Sequence, residues 1–250
     1  MTRPIVIKIS GHQIDDPKYL TDLAQVISGM KQPKIIVHGG GKEISQLQEQ
    51  LGITPRYIDG VRVTDQASLD LVVMTLCGTV NKRLVHYLVS AGVNALGLSG
   101  IDMKLIQAEP MHHSSVDMGF TGHIMSVNRE PLLTLLHSGI TPVIAPPCYG
   151  ENSIYNVNGD HVAGAVAQAV QAESIIFLSN VEGVLQDDTI IPNLTSEQTQ
   201  KLINDEVITG GMIPKVEMAL STLASGVESV VISNLEGLQT HGGTVFTQSN

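Results

Sequence analysis

The stretch KIIVHGGGKE, residues 34–43, passes from a run of aliphatic residues into three consecutive glycines and then into a helix-forming segment. A short aliphatic run has no polar face. It reads as a strand buried on both sides, and such strands belong to parallel sheets covered by helices. The same punctuation recurs along the chain. PIVIKI (4–9), NALGLSG (94–100), ITPVIAPP (140–147), ESIIFLSN (173–180) and VESVVISN (227–234) all read as buried strands ending in turn residues. Helical spacing fills the gaps at 16–30, 42–51, 129–139 and 210–226, and at 195–208, which opens with a capping box. Residues 65–92 form a long helical region with a predicted break at Gly78. Residues 101–127 alternate weakly around Gly119 and Gly122 and read as short antiparallel strands. Together these predict an α/β fold, a three-layer αβα sandwich around an open, mainly parallel central sheet.

Composition narrows the function. A chain of 250 residues is one large domain, or two lobes sharing a sheet. Aromatics make up only 3% against 42% hydrophobic residues, so the core must be aliphatic. A formal net charge of −10 excludes a broad nucleic-acid surface, which needs clustered Lys and Arg. Any anionic small molecule must then be held by a few local cations. No apolar run reaches the length of a signal peptide or a bilayer span, so no membrane partner is expected and a cytoplasmic location is. Cys77 and Cys148 lack metal-ligand spacing and read as buried free thiols. The nine histidines contain no HExxH pattern, and no metal ligand is assigned. The glycine run is neither a P-loop nor GxGxxG.

In open α/β sheets, ligands gather at the carboxyl ends of the strands. Lys8, Gly39–Gly41, Asn156–Asp160 and Ser179–Asn180 all fall at such ends. Each has two local readings. The glycine run is an anion cradle of exposed N–H groups or a tight turn. Lys8 is a site cation or a strand end reaching solvent. Lys215, one turn into a helix, is a site cation or a surface residue. In NVNGDHVAGAVAQAV (156–170), two asparagines and an aspartate sit at the mouth of a small-residue helix, as caps or as site groups.

The motifs IKISG, VHGGGKEI, DGVRVTD, NKRLV, GLSG, NVNGDHVAGAVA, LSNVEGV and GGMIPKVEMAL, in that order, resemble the acetylglutamate kinase family over nearly the whole chain. The resemblance implies the amino-acid kinase fold, a single domain over 1–250. Roughly 1–150 would bind substrate and dimerise, and 151–250 would bind nucleotide. It implies phosphoryl transfer from ATP to the side-chain carboxylate of N-acetyl-L-glutamate in arginine biosynthesis, with Mg²⁺ carried mainly by the phosphates. Lys8 would stabilise the moving phosphoryl group together with the N–H of Gly11 and the glycine turn, and Lys215 would face the leaving β-phosphate. Asp160, taken as a cap-position residue, would orient both lysines. Gly40 and Gly41 would bind substrate through backbone N–H, Arg62 its α-carboxylate, and Asn156 its amide or α-carboxylate region. Asn180, Val181, Glu182, Gly183, Val184 and Leu185, with Val207, Ile208 and Thr209, would frame the nucleotide.

Two positions depart from the family. Ser10 stands where the family has a glycine in Lys-x-Gly-Gly, adding a Cβ near the phosphate. Asn180 stands where it often has Asp. A carrier-protein-linked aminoadipate or glutamate kinase, and a non-catalytic amino-acid-sensing module of the same fold, are the alternatives. With its first strand beginning at residue 4, the chain leaves no room for the extra N-terminal helix that links dimers in arginine-inhibited members, so a homodimer is expected.

Overall fold

A computed structural model describes residues 2–11 and 13–248. The chain opens with β1 (Ile5–Ile9), α1 (Pro17–Gly29), β2 (Lys34–His38) and α2 (Gly41–Gln50). A hairpin of β3 (Arg56–Ile58) and β4 (Val61–Val63) leads into α3 (Gln66–Val73), a π-helical stretch (Met74–Val80) and α4 (Asn81–Ser90). Next come β5 (Ala95–Gly100), β6 (Ile106–Pro110), β7 (Gly122–Val127), α5 (Arg129–His137), β8 (Thr141–Tyr149) and β9 (Ile154–Asn156). The rest holds α6 (Gly159–Ala169), β10 (Ser174–Leu178), β11 (Leu185–Gln186), β12 (Thr189–Ile190), β13 (Asn193–Thr195), α7 (Ser196–Asn204), α8 (Ile213–Ala224), β14 (Ser229–Ser233), α9 (Leu235–Thr240) and β15 (Thr244–Thr247).

Among the described residues, eleven strands form one sheet. At its centre β1 lies parallel to both β2 and β10, with β8 beyond β2 and β14 beyond β10. β5 runs parallel to β8, and antiparallel pairing is confined to β6–β7, β8–β9 and β14–β15. The alternation of side chains along each strand builds two cores. Ile5, Ile7 and Ile9 of β1 pack on one face with Leu20, Leu23 and Ile27 of α1 and with Leu84 and Leu88 of α4. Val6 faces the other side, with Val162 and Val166 of α6 and Val216 and Ala219 of α8. This is the expected αβα sandwich. The same alternation puts Lys8 on the α6 face, one step from the end of β1.

Three local readings change. The helix does not break at Gly78: α3 continues through the π-helical stretch into α4. A glycine in a helix interior costs only about 1 kcal/mol and need not end it. The strand read as 140–147 runs to Tyr149 and turns back as β9, pairing Pro147 with Asn156. Of the two cysteines, Cys148 is buried but Cys77 is only half-buried; both are free, and burial pushes the Cys77 thiol up to about 11. The capping box is present, with the Gln198 N–H donating to Thr195 Oγ1 and the Thr195 N–H donating to Gln198 Oε1.

Candidate active site

At the carboxyl ends of β1 and β2, Lys8, Gly11, Gly40, Gly41, Arg62 and Asn156 line one cavity of about 660 Å³. These six come from four separate stretches of the chain and were all assigned from sequence.

The floor is made of two backbone turns pressed together. A Cβ on Gly11 would lie 2.6 Å from the Gly40 nitrogen and 2.9 Å from its Cα. Gly40 has φ +153°, where side-chain-bearing residues are strained, and a Cβ there would lie 2.5 Å from Leu76 Cδ2. Only glycine allows this approach. Among the described residues, the N–H groups of Gly11, Gly40 and Gly41 donate to no protein acceptor. Gly41 also opens α2, whose dipole favours negative charge at that end. Ser10 fits without strain, since its φ is not positive and its N–H donates to the Leu178 carbonyl at 3.0 Å.

Lys8 Nζ reaches Asp160 Oδ1 at 2.6 Å, with only 13% of the lysine side chain exposed. Asp160 is not the helix cap. Asn158 is the N-cap of α6, and its Oδ1 accepts from the Asp160 N–H at 2.8 Å. The two asparagine and aspartate readings therefore divide: Asn158 satisfies the helix end, which leaves the Asp160 carboxylate for Lys8. No ion pair joins Asp160 to Lys215 in this structure. Lys215 is half-buried in the first turn of α8 and makes no side-chain hydrogen bond or ion pair among the described residues.

Arg62 projects from β4 with its guanidinium half-buried. It donates to Gln48 Oε1, to Ser45 Oγ at 2.9 Å and to the Gly41 carbonyl at 3.3 Å, and it stacks 4.8 Å above the Tyr57 ring. Burial lowers its pKa, yet a guanidinium stays charged. Every one of these partners is neutral, so a positive charge faces the cavity uncompensated. Gln48 is itself 1% exposed and donates to Ser68 Oγ at 2.9 Å. Asn156 Nδ2 donates to Thr64 Oγ1 at 3.0 Å, so its side-chain donor is engaged locally.

The residues assigned to the nucleotide lie beyond β10 and after α7, outside the lining of this cavity. Asn180, Glu182, Leu185 and Thr209 are exposed, while Val181 and Val207 are half-buried. Val184 and Ile208 are 1% and 2% exposed and belong to the α6–α8 core. Gly183 is also buried. At these three positions only backbone groups remain for a ligand.

Sequence reasoning missed the support behind the site. Gln48 had a visible signal: it stands four residues after Ile44, on the face of α2 that is otherwise apolar. His38 and Asn81 fall inside the motifs VHGGGKEI and NKRLV, but nothing in the sequence showed that they meet. His38 is fully buried at the end of β2, and its ring meets the Gly39 carbonyl at 2.8 Å and Asn81 Nδ2 at 3.1 Å. Burial pushes the imidazole down to about 4, so it is neutral at pH 7.

Residues 3–234 match the amino acid kinase family. The acetylglutamate kinase of Chloroflexus aurantiacus is 48% identical over 99% of this chain and 98% of its own length. The chain belongs to the amino acid kinase family, in its acetylglutamate kinase branch. It is therefore a phosphotransferase of that family. A crystal structure of smu.665 from Streptococcus mutans superposes with TM-score 0.81 at 31% identity, each chain fully covered. Carbamate kinase from Giardia lamblia, at 12% identity and TM-score 0.70 over 99% of both chains, shares the fold. No helix among the described residues is long and apolar enough to cross a membrane.

Proposed function

We propose that the protein transfers the γ-phosphoryl group of ATP to the side-chain carboxylate of N-acetyl-L-glutamate, yielding an acyl phosphate and ADP for arginine biosynthesis. The observation that carries this reading is the uncompensated Arg62 guanidinium in the same cavity as Lys8 and three unpaired glycine N–H groups.

The reaction joins two anions, and its barrier lies in absorbing charge on the moving phosphoryl group. A carboxylate is already nucleophilic at neutral pH, so no strong general base is needed. Lys8, held by Asp160, supplies charge at the transferring group, and the N–H groups of Gly11, Gly40 and Gly41 donate to its oxygens. Arg62 takes the substrate α-carboxylate, a planar match for a guanidinium. Asn156 receives the amide region through its carbonyl oxygen. Lys215 serves the β-phosphate, and the turns at 180–185 and 207–209 frame the nucleotide. The unpaired glycine cradle fits a phosphoryl group. The ATP would carry Mg²⁺, held mainly by phosphate oxygens and water, and that ion would supply charge neutralisation.

In this reading 1–150 forms the amino-acid and dimer lobe, 151–250 the nucleotide lobe, and the enzyme works in the cytoplasm. The homodimer has a candidate seam at the free edge of β5. Leu96 on that strand is 42% exposed, and Val89 on neighbouring α4 is 53% exposed. Light scattering in solution checks it, with a monomer at micromolar concentration as the adverse result. The activity is tested by trapping the acyl phosphate with hydroxylamine, using N-acetylglutamate, glutamate and N-acetylaminoadipate in parallel. Product from N-acetylglutamate alone is expected. Preference for the aminoadipate compound, or transfer to none, overturns the reading.

A further inference from the structure

The glycine turn has a buried support that the proposed chemistry does not itself explain. Asn81, the first residue of α4, is 1% exposed and sends its amide nitrogen to the Val143 carbonyl at 2.9 Å and toward the Leu98 carbonyl at 3.3 Å. Its Oδ1 accepts from Lys82 Nζ at 3.2 Å. Carbonyls on one side and an ammonium on the other fix which end of the Asn81 amide is nitrogen. That nitrogen meets His38 Nε2 at 3.1 Å, so Nε2 is the acceptor and the proton sits on Nδ1. The Nδ1–H then donates to the Gly39 carbonyl at 2.8 Å.

A trans peptide is planar, and its C=O and N–H point in opposite directions. Pinning the Gly39 oxygen therefore pins the Gly40 N–H that follows it. The oxygen is held on the buried His38 side, and the Gly40 backbone lines the cavity with its N–H unpaired. Glycines on either side of this bond give it little rigidity of their own. We infer that His38, fixed by Asn81, is a positioning residue that holds the Gly39–Gly40 peptide so that the Gly40 N–H faces the bound anion. This rests on the phosphoryl-transfer reading for its kinetic consequence, and on geometry alone for the orientation of the peptide.

The test compares His38→Leu, which removes the donor, with His38→Asn, whose amide nitrogen can occupy the place of Nδ1. Two quantities are read: the amide ¹H–¹⁵N resonance of Gly40 without and with magnesium AMP-PNP, and kcat with KM for each substrate. In His38→Leu the Gly40 resonance should move or broaden, and kcat should fall by roughly 10²-fold, the scale for losing one preorganised donor, with KM for ATP little changed. In His38→Asn both should return toward wild type. If His38→Leu does not fold, His38→Gln replaces it, since that longer amide reaches the Asn81 side and not the Gly39 carbonyl. An unmoved Gly40 resonance in the donor-less variant overturns the inference. So does an equal loss of kcat in the Asn variant. If wild type proves inactive with N-acetylglutamate, the reading of the function fails, and the Gly40 resonance still decides the inference.

Discussion

Acid should destabilise this protein through His38 in a way that a single substitution removes. The imidazole is fully buried, and burial lowers its pKa from 6.5 to about 4, opposed only by the hydrogen bond to Gly39. Folded, it stays neutral; unfolded, it takes a proton below pH 6.5. The unfolded state thus binds more protons across that window, and stability rises with pH there. The contribution is complete above pH 6.5 and is lost progressively as pH falls toward 4. At about 1.4 kcal/mol per pH unit, the depression corresponds to about 3 kcal/mol, a large part of a typical folding free energy. Other histidines and carboxylates titrate in the same range, so the measurement is a difference. Urea unfolding of wild type and His38→Asn at a series of pH values from 7.5 to 4 gives two stability curves. His38→Asn should lose less stability on acidification, and the gap between the curves should shift by about 3 kcal/mol in its favour. Parallel curves would refute the argument, because they would mean that His38 binds its proton equally in both states.

Three further outcomes follow from the site. Asp160→Asn leaves the Asn158 cap in place, so its thermal midpoint should barely move while kcat falls by roughly 10²-fold through a misplaced Lys8; wild-type turnover would return Asp160 to a surface role. Arg62→Lys loses the forked geometry toward Gln48 and Ser45 and should raise KM for N-acetylglutamate well beyond KM for ATP in steady-state assays. Gly40→Ala, at φ +153° and facing Leu76, should destabilise by about 1–3 kcal/mol in denaturant and abolish most activity, and an unchanged unfolding midpoint would contradict the close approach of the two turns.

Much of this architecture was legible in the chain because buried parallel strands leave an unmistakable pattern. PIVIKI and KIIVH carry no polar face, and each ends in residues that only a turn requires. Ligand chemistry then falls at known ends of known strands, which is why Lys8, Gly40 and Asn156 could be singled out; Arg62, beside a turn, was assigned only through the family resemblance, and all four line one cavity. The order of motifs added the family. What stayed hidden depended on contacts between distant segments. Asp160 and Asn158 are equally good caps in a sequence; the position of Lys8 across the sheet separates a cap from an ion pair. Val184 and Ile208 look like any loop-flanking aliphatics until packing assigns them to the core. His38 and Asn81 lie 43 residues apart and carry no local signal of meeting, yet their hydrogen bond orients the glycine turn. Local pattern determines which segments are strands and helices, since that depends on periodicity. Which polar group neutralises which is decided only when the tertiary fold removes water from both, because only then does each buried donor have to find a particular acceptor.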